Sequence, residues 1–405
     1  MRKAAYLGLY SLRQEVALLT FQEHRRIALC GGCCVLMAAL LLNAPALTAV
    51  DSLPTRLTDD AFWRLISDFS EESGPYPSEN LTSNELYFQH VIPTLKRITK
   101  PGGVYLGVGP EQNFTYIAAL EPKMAFIIDI RRQNMLEILL YKALFEMAPD
   151  RADFVALLFS RKRPAGLDGR STAATLFDAY GKLRADPDVF KQNLKNIQDV
   201  LLQKHGFGLS IDDLSGIEHV YQQFFTLGPD TSYYGNQLPT YRALMTATDT
   251  EGLAIPGTAR SFLATEDNFR FVRQMHQRNV IVPLVGDFGG PKTIRSVAQF
   301  LRDHDAKVEA FYISNVDAYL MPSFSSMPNG GAANFYASAA ELPVNATSPF
   351  IRACPSADGL PIPRARFVSK LVSIADRIAA FNNGNIKVPT DIGPCTLDPT
   401  DLVRH

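Results

Sequence analysis

The fold is decided by "GGVYLGVGPEQNFTYIAALEPKMAFIIDIRR", residues 102–132 of a 405-residue chain. The stretch holds two short apolar runs, "GVYLGVG" and "MAFIIDI", separated by a segment with helical periodicity. Short apolar runs that alternate with helices are typical of parallel strands buried on both faces. The pattern therefore predicts a strand, a glycine turn, a helix and a second strand that ends in an acid.

The same alternation continues beyond this stretch. Further strands are predicted at "DFVALLF" (153–159), "NVIVPLVGDFGG" (279–290) and "KVEAFYISNV" (307–316), with a helix at "TIRSVAQFLRDHD" (293–305). We therefore predict an α/β fold with a doubly wound, mostly parallel Rossmann-like sheet.

Residues 163–275 have a different character, because helical periodicity replaces the short apolar runs. We interpret them as a large, mainly helical insertion that divides the sheet domain. The first half of that domain and its N-terminal helices then occupy 50–162. The second half occupies 276–405 and ends in a helix within "RFVSKLVSIADRIAAFNN" (366–383).

The overall composition is that of an ordinary globular protein. Hydrophobic residues make up 46% of the chain, charged residues 20%, and the formal net charge is −1. Since no long Lys/Arg run is present, the sequence predicts neither a nucleic-acid partner nor a polybasic membrane patch.

The N-terminal segment, residues 1–49, departs from this composition. Arg25 and Arg26 precede the apolar run "IALCGGCCVLMAALLLNAPALTA" (27–49), which is the layout of a secretory signal cleaved after Ala46 or Ala49. The run is also long enough, at about 20 residues, to serve as an uncleaved membrane anchor. With positive charges before the run, either reading places the main domain outside the cytosol, exported to a periplasm or medium or anchored by this segment.

Removal of a signal would leave two cysteines, Cys354 and Cys395. An even pair in an oxidising compartment favours a disulfide, and two free buried thiols are the alternative.

The turn after the first strand has the residues that a nucleotide-like ligand requires. Gly107 and Gly109 lie where a side chain would block the approach of a ligand to the backbone. Asp129 lies 22 positions beyond Gly107, close to the spacing of about 20 at which an acid reaches ribose hydroxyls.

These residues resemble the class I S-adenosylmethionine-dependent methyltransferases over roughly 100–160. The resemblance extends loosely to "PLVGDFGG" and "FYISNV" as fourth and fifth strands. Glu111 replaces the family's third small residue, and Tyr105 replaces an acid often found before the first glycine. The whole chain, including "SENLTSNE" and "GDFGGPK", also resembles an uncharacterised bacterial family, which implies no activity.

The methyltransferase resemblance implies that the chain binds S-adenosylmethionine. An acid at the turn suits an aminoacyl-sulfonium ligand better than a diphosphate, which favours this cofactor over NAD. The residues implied in cofactor binding are Gly107, Gly109, Glu111 and Gln112 at the turn and Asp129, Ile130 and Arg131 at the end of the second strand.

The alternative interpretation of the turn is structural. In that case "VYLGVG" is a tight strand-to-helix connection, and Asp129 caps the helix that follows it.

Substrate-side candidates come from three other places. The polar segment "SEESGPYPSENLTSNE" (70–85) contains Glu71, Asn84 and Glu85, and it is either a loop that closes over the site or a solvated surface loop. Asp287 and Asn315 follow predicted strands, at the edge where open α/β sheets bind ligands.

The stretch "GDFGGPKT" (286–293) nearly matches a phosphate-binding loop. Pro291 stands where that loop requires glycine, and proline has no amide N–H to donate to phosphate. The sequence therefore disfavours a nucleoside triphosphate.

No pair of the seven histidines has metal-ligand spacing, and no G-x-S-x-G nucleophile motif is present. We expect no metal, and no catalytic residue can be assigned. Two functions remain: a methyltransferase-like protein with an unknown acceptor, or an exported, non-catalytic protein that binds a small ligand or a protein partner. Oligomeric state is not encoded in any of these patterns.

Overall fold

The two apolar runs of the 102–132 stretch form adjacent parallel strands at the centre of a six-stranded sheet. The computed structural model describes residues 52–233, 239–253, 255–321, 331–355 and 367–387. Its strands are β1 (Val104–Val108), β2 (Met124–Asp129), β3 (Ile281–Val285), β4 (Val308–Ser314), β5 (Pro349–Pro355) and β6 (Phe367–Ser373).

The strand order is β3-β2-β1-β4-β5-β6, and only β6 runs antiparallel to its neighbour. The chain starts at β1, moves outward through β2 and β3, and then crosses back to β4 on the other side of β1. This is the order of a doubly wound Rossmann-like sheet. The predicted fold class is confirmed.

Helices connect and cover these strands. The α-helices are α1 (Asp59–Phe69), α2 (Ile92–Ile98), α3 (Gln112–Leu120), α4 (Arg132–Met147), α5 (Arg151–Leu158), α6 (Ala173–Gly181), α7 (Pro187–Asp199), α8 (Ile211–Leu227), α9 (Tyr241–Thr246), α10 (Glu266–Gln277), α11 (Thr293–Asp303), α12 (Val316–Tyr319), α13 (Gly331–Ala340) and α14 (Ile374–Asn382).

One face of the sheet is an aromatic layer. Phe126 of β2 packs near Phe300 of α11, and Phe311 of β4 packs near Phe335 of α13. Side chains alternate between faces along a strand, so Tyr105 and Tyr312 point to the other face, where both meet Tyr116 of α3. Helices therefore cover both faces, which explains the nearly unbroken apolar runs of the strands.

The stretch predicted as a strand at 153–159 is instead helix α5, so that prediction is wrong. The side chain of Asp150 caps its first turn by accepting a hydrogen bond from the Asp153 amide at 2.9 Å. Its apolar residues, such as Phe154 and Leu158, are fully buried. A short apolar run buried all round cannot be assigned to strand or helix by periodicity alone.

This error shifts the numbering of the later strands. The "PLVGDFGG" strand is the third and pairs with β2, and the "FYISNV" strand is the fourth and pairs with β1. The helical region between β2 and β3 also begins before the predicted boundary at 163.

The last predicted helix, 366–383, is half strand. Phe367–Ser373 forms β6, and only Ile374–Asn382 is helical. The reason is non-local, because β6 forms an antiparallel ladder with β5, from Pro349↔Ser373 to Pro355↔Phe367. No sequence pattern predicted β5 or α13.

Cys354 of β5 is disulfide-bonded and buried. Cys395 and the N-terminal segment 1–49 lie outside the described residues. Across the ranges that are described, no helix combines the length and apolarity needed to cross a membrane.

A buried ion cluster ties the C-terminal elements together. The carboxylate of Asp317, which is fully buried, accepts hydrogen bonds from Arg352 at 2.8 Å and Arg377 at 3.0 Å. The hydroxyl of Tyr336 donates to the same carboxylate at 3.2 Å. Asp317 therefore has a structural role, because its carboxylate links α12 to α13, β5 and α14.

We predict that Asp317→Ala lowers the free energy of unfolding by about 3–5 kcal/mol, because two buried guanidinium groups lose their counter-charge. Urea denaturation measures the change. Asp267→Ala, which removes an exposed pair with Arg270, is the matched control and should change stability little. Equal losses in the two variants would contradict the prediction.

Candidate functional site

A pocket lies at the carboxyl ends of the parallel strands, where the strand order reverses between β1 and β4. It holds about 790 Å³ of space between protein atoms, including its mouth open to solvent. Open α/β sheets bind their ligands at this switch point.

The pocket wall combines strand ends with loops that cross them. Its lining residues are Tyr76, Asn80, Thr82, Ser83, Asn84, Glu85, Val108, Gly109, Pro110, Asp129, Ile130, Arg131, Tyr233, Gly286, Asp287, Phe288, Tyr312, Ser314, Asn315, Val316, Tyr319 and Leu320.

The two glycines of the turn have different roles. Gly109 lines the pocket with φ +76°, and nothing lies within 4 Å of the position that a Cβ would occupy. Gly107 does not line the pocket, and a Cβ there would lie 1.8 Å from Oδ1 of Asn113. Gly109 therefore leaves room for a ligand, whereas Gly107 leaves room for Asn113.

Asn113 holds the turn in shape. Its Nδ2 donates to the carbonyls of Val108, Gly109 and Pro110 at 2.7–3.0 Å, and its Oδ1 accepts from the Tyr105 hydroxyl at 2.9 Å. The sequence pattern does not predict this role. The available signal is the pair of amides Gln112 and Asn113, two and three residues after the turn proline.

Asp129 lines the pocket, as predicted, but it is paired with Arg131. The guanidinium donates through Nε and Nη2 to both carboxylate oxygens at 2.9 Å, and Nη1 donates to the carbonyls of Ser78 and Glu79. All three guanidinium nitrogens are thus bound to protein oxygens. Oδ2 of Asp129 accepts only from Nη2 among these bonds, so it retains the capacity to accept from a hydroxyl.

The segment 70–85, which we call the strap, runs along this edge of the sheet. The amide of Glu71 donates to Val285 at the end of β3, and the amide of Gly74 donates to Ile130 after β2. The strap is therefore attached to the strand ends: its residues 76, 80 and 82–85 form part of the pocket wall, and its residues 72, 73, 75, 77 and 79 are exposed.

Glu71 binds the loop that resembles a phosphate site. Its carboxylate accepts from the amides of Asp287, Lys292 and Thr293 at 2.7–3.1 Å, at the start of α11. It is not part of the pocket wall. The protein's own carboxylate thus occupies the anion-binding end of this helix, which places Glu71 in a structural role and not on the substrate side.

Glu85 lies in the pocket wall and is almost fully buried. Oε1 accepts from the hydroxyls of Tyr312 at 2.7 Å and Ser314 at 2.6 Å, and Oε2 accepts from Gln112 at 3.2 Å and Ser369 at 3.4 Å. Burial raises the pKa of this carboxyl, and the four donors oppose the rise. Glu85 joins the strap to β4, α3 and β6.

Three other substrate-side candidates line the pocket: Asn84, Asp287 and Asn315. Asp287 follows β3 and so lies beside the end of β2, next to Asp129. Its position favours the cofactor side of the pocket. Asn315 follows β4, on the opposite side of β1.

Glu111 and Gln112 are fully buried and lie outside the pocket wall. Oε1 of Glu111 accepts from the Ser83 amide at 3.3 Å, and Gln112 accepts from the Ser83 hydroxyl. Both residues bind the strap at Ser83 and do not line the pocket, although the methyltransferase resemblance implied that they bind the cofactor.

The buried Glu111 carboxyl lies near a second one, Glu137 of α4. Burial raises the pKa of Glu111 to about 8. Burial and the proximity of Glu111 raise the pKa of Glu137 well above its usual range. Both acids are therefore held in their neutral forms around neutral pH.

Tyrosines form another part of the wall. Tyr76 of the strap contacts Tyr319 edge to face at 6.2 Å, and its hydroxyl hydrogen-bonds with those of Tyr233 and Tyr319. The Arg131 guanidinium lies 5.5 Å from the centre of the Tyr76 ring.

The charge of the pocket follows from these contacts. Among the described residues of the wall, the ionisable acids and bases are Glu85, Asp129, Asp287 and Arg131. The one guanidinium is occupied by Asp129 and by carbonyls. The site therefore offers acids and aromatic rings, and it offers no uncommitted cation to an anionic ligand.

Within the described ranges, no three His, Cys, Asp or Glu side chains are grouped so that they would hold a metal ion.

Fold and site together define a doubly wound α/β protein with a ligand pocket at its switch point. The chain belongs to the family described as a domain of unknown function, DUF7790, whose profile matches residues 80–200 and 244–382. No curated protein matches it. The matched ranges contain every residue of the pocket wall named above except Tyr76 and Tyr233.

We predict that Glu111→Gln flattens the pH dependence of stability. The native carboxyl, with a pKa of about 8, holds a proton that the unfolded chain releases near 4.5. Because the native state binds more protons in this window, wild-type stability falls as pH rises from about 4.5 to about 8. Urea unfolding across this range should show a shallower fall for Glu111→Gln. The exposed Glu218→Gln control should follow the wild type, and parallel curves for all three proteins would contradict the prediction.

Proposed function

We propose that the switch-point pocket binds S-adenosylmethionine and that the protein is methyltransferase-like. Three features support the fit of this cofactor. Gly109 leaves the turn open to the ligand, Asp129 has a lone pair for a ribose hydroxyl, and Asp287 beside it suits the exocyclic amine of adenine.

The observation that carries the proposal is the charge of the wall. Arg131 is committed to Asp129 and to two carbonyls of the strap, while carboxylates and tyrosines face the cavity. A phosphate-bearing ligand would meet the carboxylate of Asp287 and no uncommitted guanidinium among the described residues of the wall. A sulfonium is attracted by acids and by aromatic faces.

Methyl transfer makes modest demands on the protein. A lone pair of the acceptor attacks the methyl carbon, the carbon–sulfur bond breaks, and its electrons remain on sulfur in S-adenosylhomocysteine. Alignment of the two reactants supplies most of the acceleration. We place the acceptor on the β4 side, near Ser314 and Asn315, because the proposed cofactor residues lie at β1, β2 and β3.

Calorimetric titration tests the proposal. S-adenosylhomocysteine should bind the purified protein, whereas ATP and NAD should not, because their phosphates find acids and no uncommitted guanidinium. Preference for ATP or NAD, or a folded protein that binds none of the three, would overturn it.

A glycine pair provides a matched test of the site. Gly109→Ala and Gly166→Ala both force alanine into a positive φ, +76° and +83°, and neither new Cβ meets an atom within 4 Å. Each should cost about 1 kcal/mol of stability. Only Gly109→Ala places its methyl group in the pocket, so it alone should weaken S-adenosylhomocysteine binding, about tenfold or more. Similar affinities in the two variants would argue against a ligand at the turn.

A second candidate function is that of an exported, non-catalytic protein that binds a small ligand or a partner. The disulfide at Cys354 favours it, because disulfides persist in oxidising compartments and S-adenosylmethionine is a cytosolic metabolite. A reporter fused after residue 405 should then be active only outside the cytosol. A cytosolic reporter would exclude export and leave the methyltransferase proposal.

A further inference from the structure

Three partly exposed tyrosines lie together at the pocket. They are Tyr76 of the strap, Tyr233, and Tyr319 of α12, and all three line the pocket. The other tyrosines of the described ranges are buried. We call these three side chains the tyrosine wall.

The tyrosine wall joins segments that are distant in the sequence. The rings of Tyr76 and Tyr319 meet edge to face at 6.2 Å, and the Tyr76 hydroxyl hydrogen-bonds with those of Tyr233 and Tyr319. Apolar surface left in water costs free energy, and ligand pockets are lined mainly by apolar and aromatic side chains with few polar groups. Partly exposed tyrosines gathered in a concave site therefore favour a ligand that has an apolar surface of its own.

The tyrosine wall lies mainly on the β4 side of the pocket. Tyr319 belongs to α12, which begins two residues after β4 ends, and Val316 and Leu320 of the same segment also line the pocket. Tyr76 borders the cofactor side as well, because the Arg131 guanidinium lies 5.5 Å from the centre of its ring. The wall is therefore on the side of the pocket where we place the methyl acceptor.

The charges around the tyrosine wall disfavour one class of acceptor. Burial, together with the neighbouring hydroxyls of Tyr233 and Tyr319, raises the pKa of Tyr76 above its usual value, so its hydroxyl stays neutral. Arg131, the one guanidinium of the described pocket wall, is committed to Asp129 and to carbonyls of the strap. An acceptor with a carboxylate or phosphate group would therefore lose its hydration without gaining a counter-charge.

We propose that the tyrosine wall binds the methyl acceptor and that the acceptor is a small molecule with an aromatic ring and no anionic group. This inference rests on the proposed function and names the substrate class of the same pocket. Aromatic rings that meet in edge-to-face or offset contacts gain affinity beyond the area that they bury.

Three probe molecules of similar size test the ring and the charge separately. 2-Phenylethanol has the ring and is neutral, phenylacetate has the ring and is anionic, and 2-cyclohexylethanol is neutral without an aromatic ring. Each is titrated by NMR into the full protein saturated with S-adenosylhomocysteine. 2-Phenylethanol should bind about three- to tenfold more tightly than 2-cyclohexylethanol, and phenylacetate should bind most weakly.

Variants of Tyr319 test whether the tyrosine wall is responsible. Tyr319→Leu removes one ring and should lower the preference for 2-phenylethanol over 2-cyclohexylethanol, whereas Tyr319→Phe keeps the ring and should retain it. Phe271→Leu is the matched control, because Phe271 of α10 is also partly exposed and does not line the pocket. It should behave as the wild type. All three variants should bind S-adenosylhomocysteine with wild-type affinity.

The outcomes separate this inference from the cofactor proposal. Equal binding of the three probes, no binding of 2-phenylethanol, or a preference that Tyr319→Leu leaves unchanged would overturn the acceptor site while S-adenosylhomocysteine binding stands. A loss of S-adenosylhomocysteine affinity in Tyr319→Leu would assign the tyrosines to the cofactor and would also overturn the acceptor site. Failure of the wild-type protein to bind S-adenosylhomocysteine would overturn the cofactor proposal and the acceptor site with it.

Discussion

The ion pair between Arg131 and Asp129 is the interaction on which the site depends. It joins the end of β2 to the strap, because the same guanidinium that holds Asp129 also donates to the carbonyls of Ser78 and Glu79. It also commits the one guanidinium of the described pocket wall. The Arg131 contacts that hold the strap to the sheet therefore also leave the described pocket wall without an uncommitted cation.

Two carboxylates of the strap complete this arrangement. Glu71 occupies the amides at the start of α11, so that the loop resembling a phosphate site binds an internal anion. Glu85 accepts hydrogen bonds from four side chains, which belong to β4, α3 and β6. These two acids therefore fix the strap near both of its ends. Because the internal groups of the protein satisfy one another in this way, the described pocket wall has no cation free to bind an anionic ligand.

Local patterns predicted the centre of the fold well. The strands at 104–108 and 124–129 and the glycine turn depend on residues close in sequence, and the structure has them where they were expected. Gly109, Asp129 and Asp287 were placed at the carboxyl edge by the same reasoning.

The errors and omissions come from contacts between distant residues. Strand β6 exists because β5 pairs with it. Helix α5 is a short, mostly buried apolar segment, which a local pattern does not distinguish from a buried strand. The commitment of Arg131 to the strap spans more than fifty residues. The sequence could therefore indicate the candidate site. It could not reveal that the Arg131 guanidinium is bound by Asp129 and by the strap.

The most direct measurement is the structure of a crystal of the protein that has been soaked with S-adenosylhomocysteine. The account predicts ligand density at the carboxyl ends of β1 and β2, with the ribose against Asp129 and the adenine toward Asp287. A ligand bound elsewhere, or a pocket that admits it only after Arg131 leaves Asp129, would contradict the claim that this ion pair defines the site.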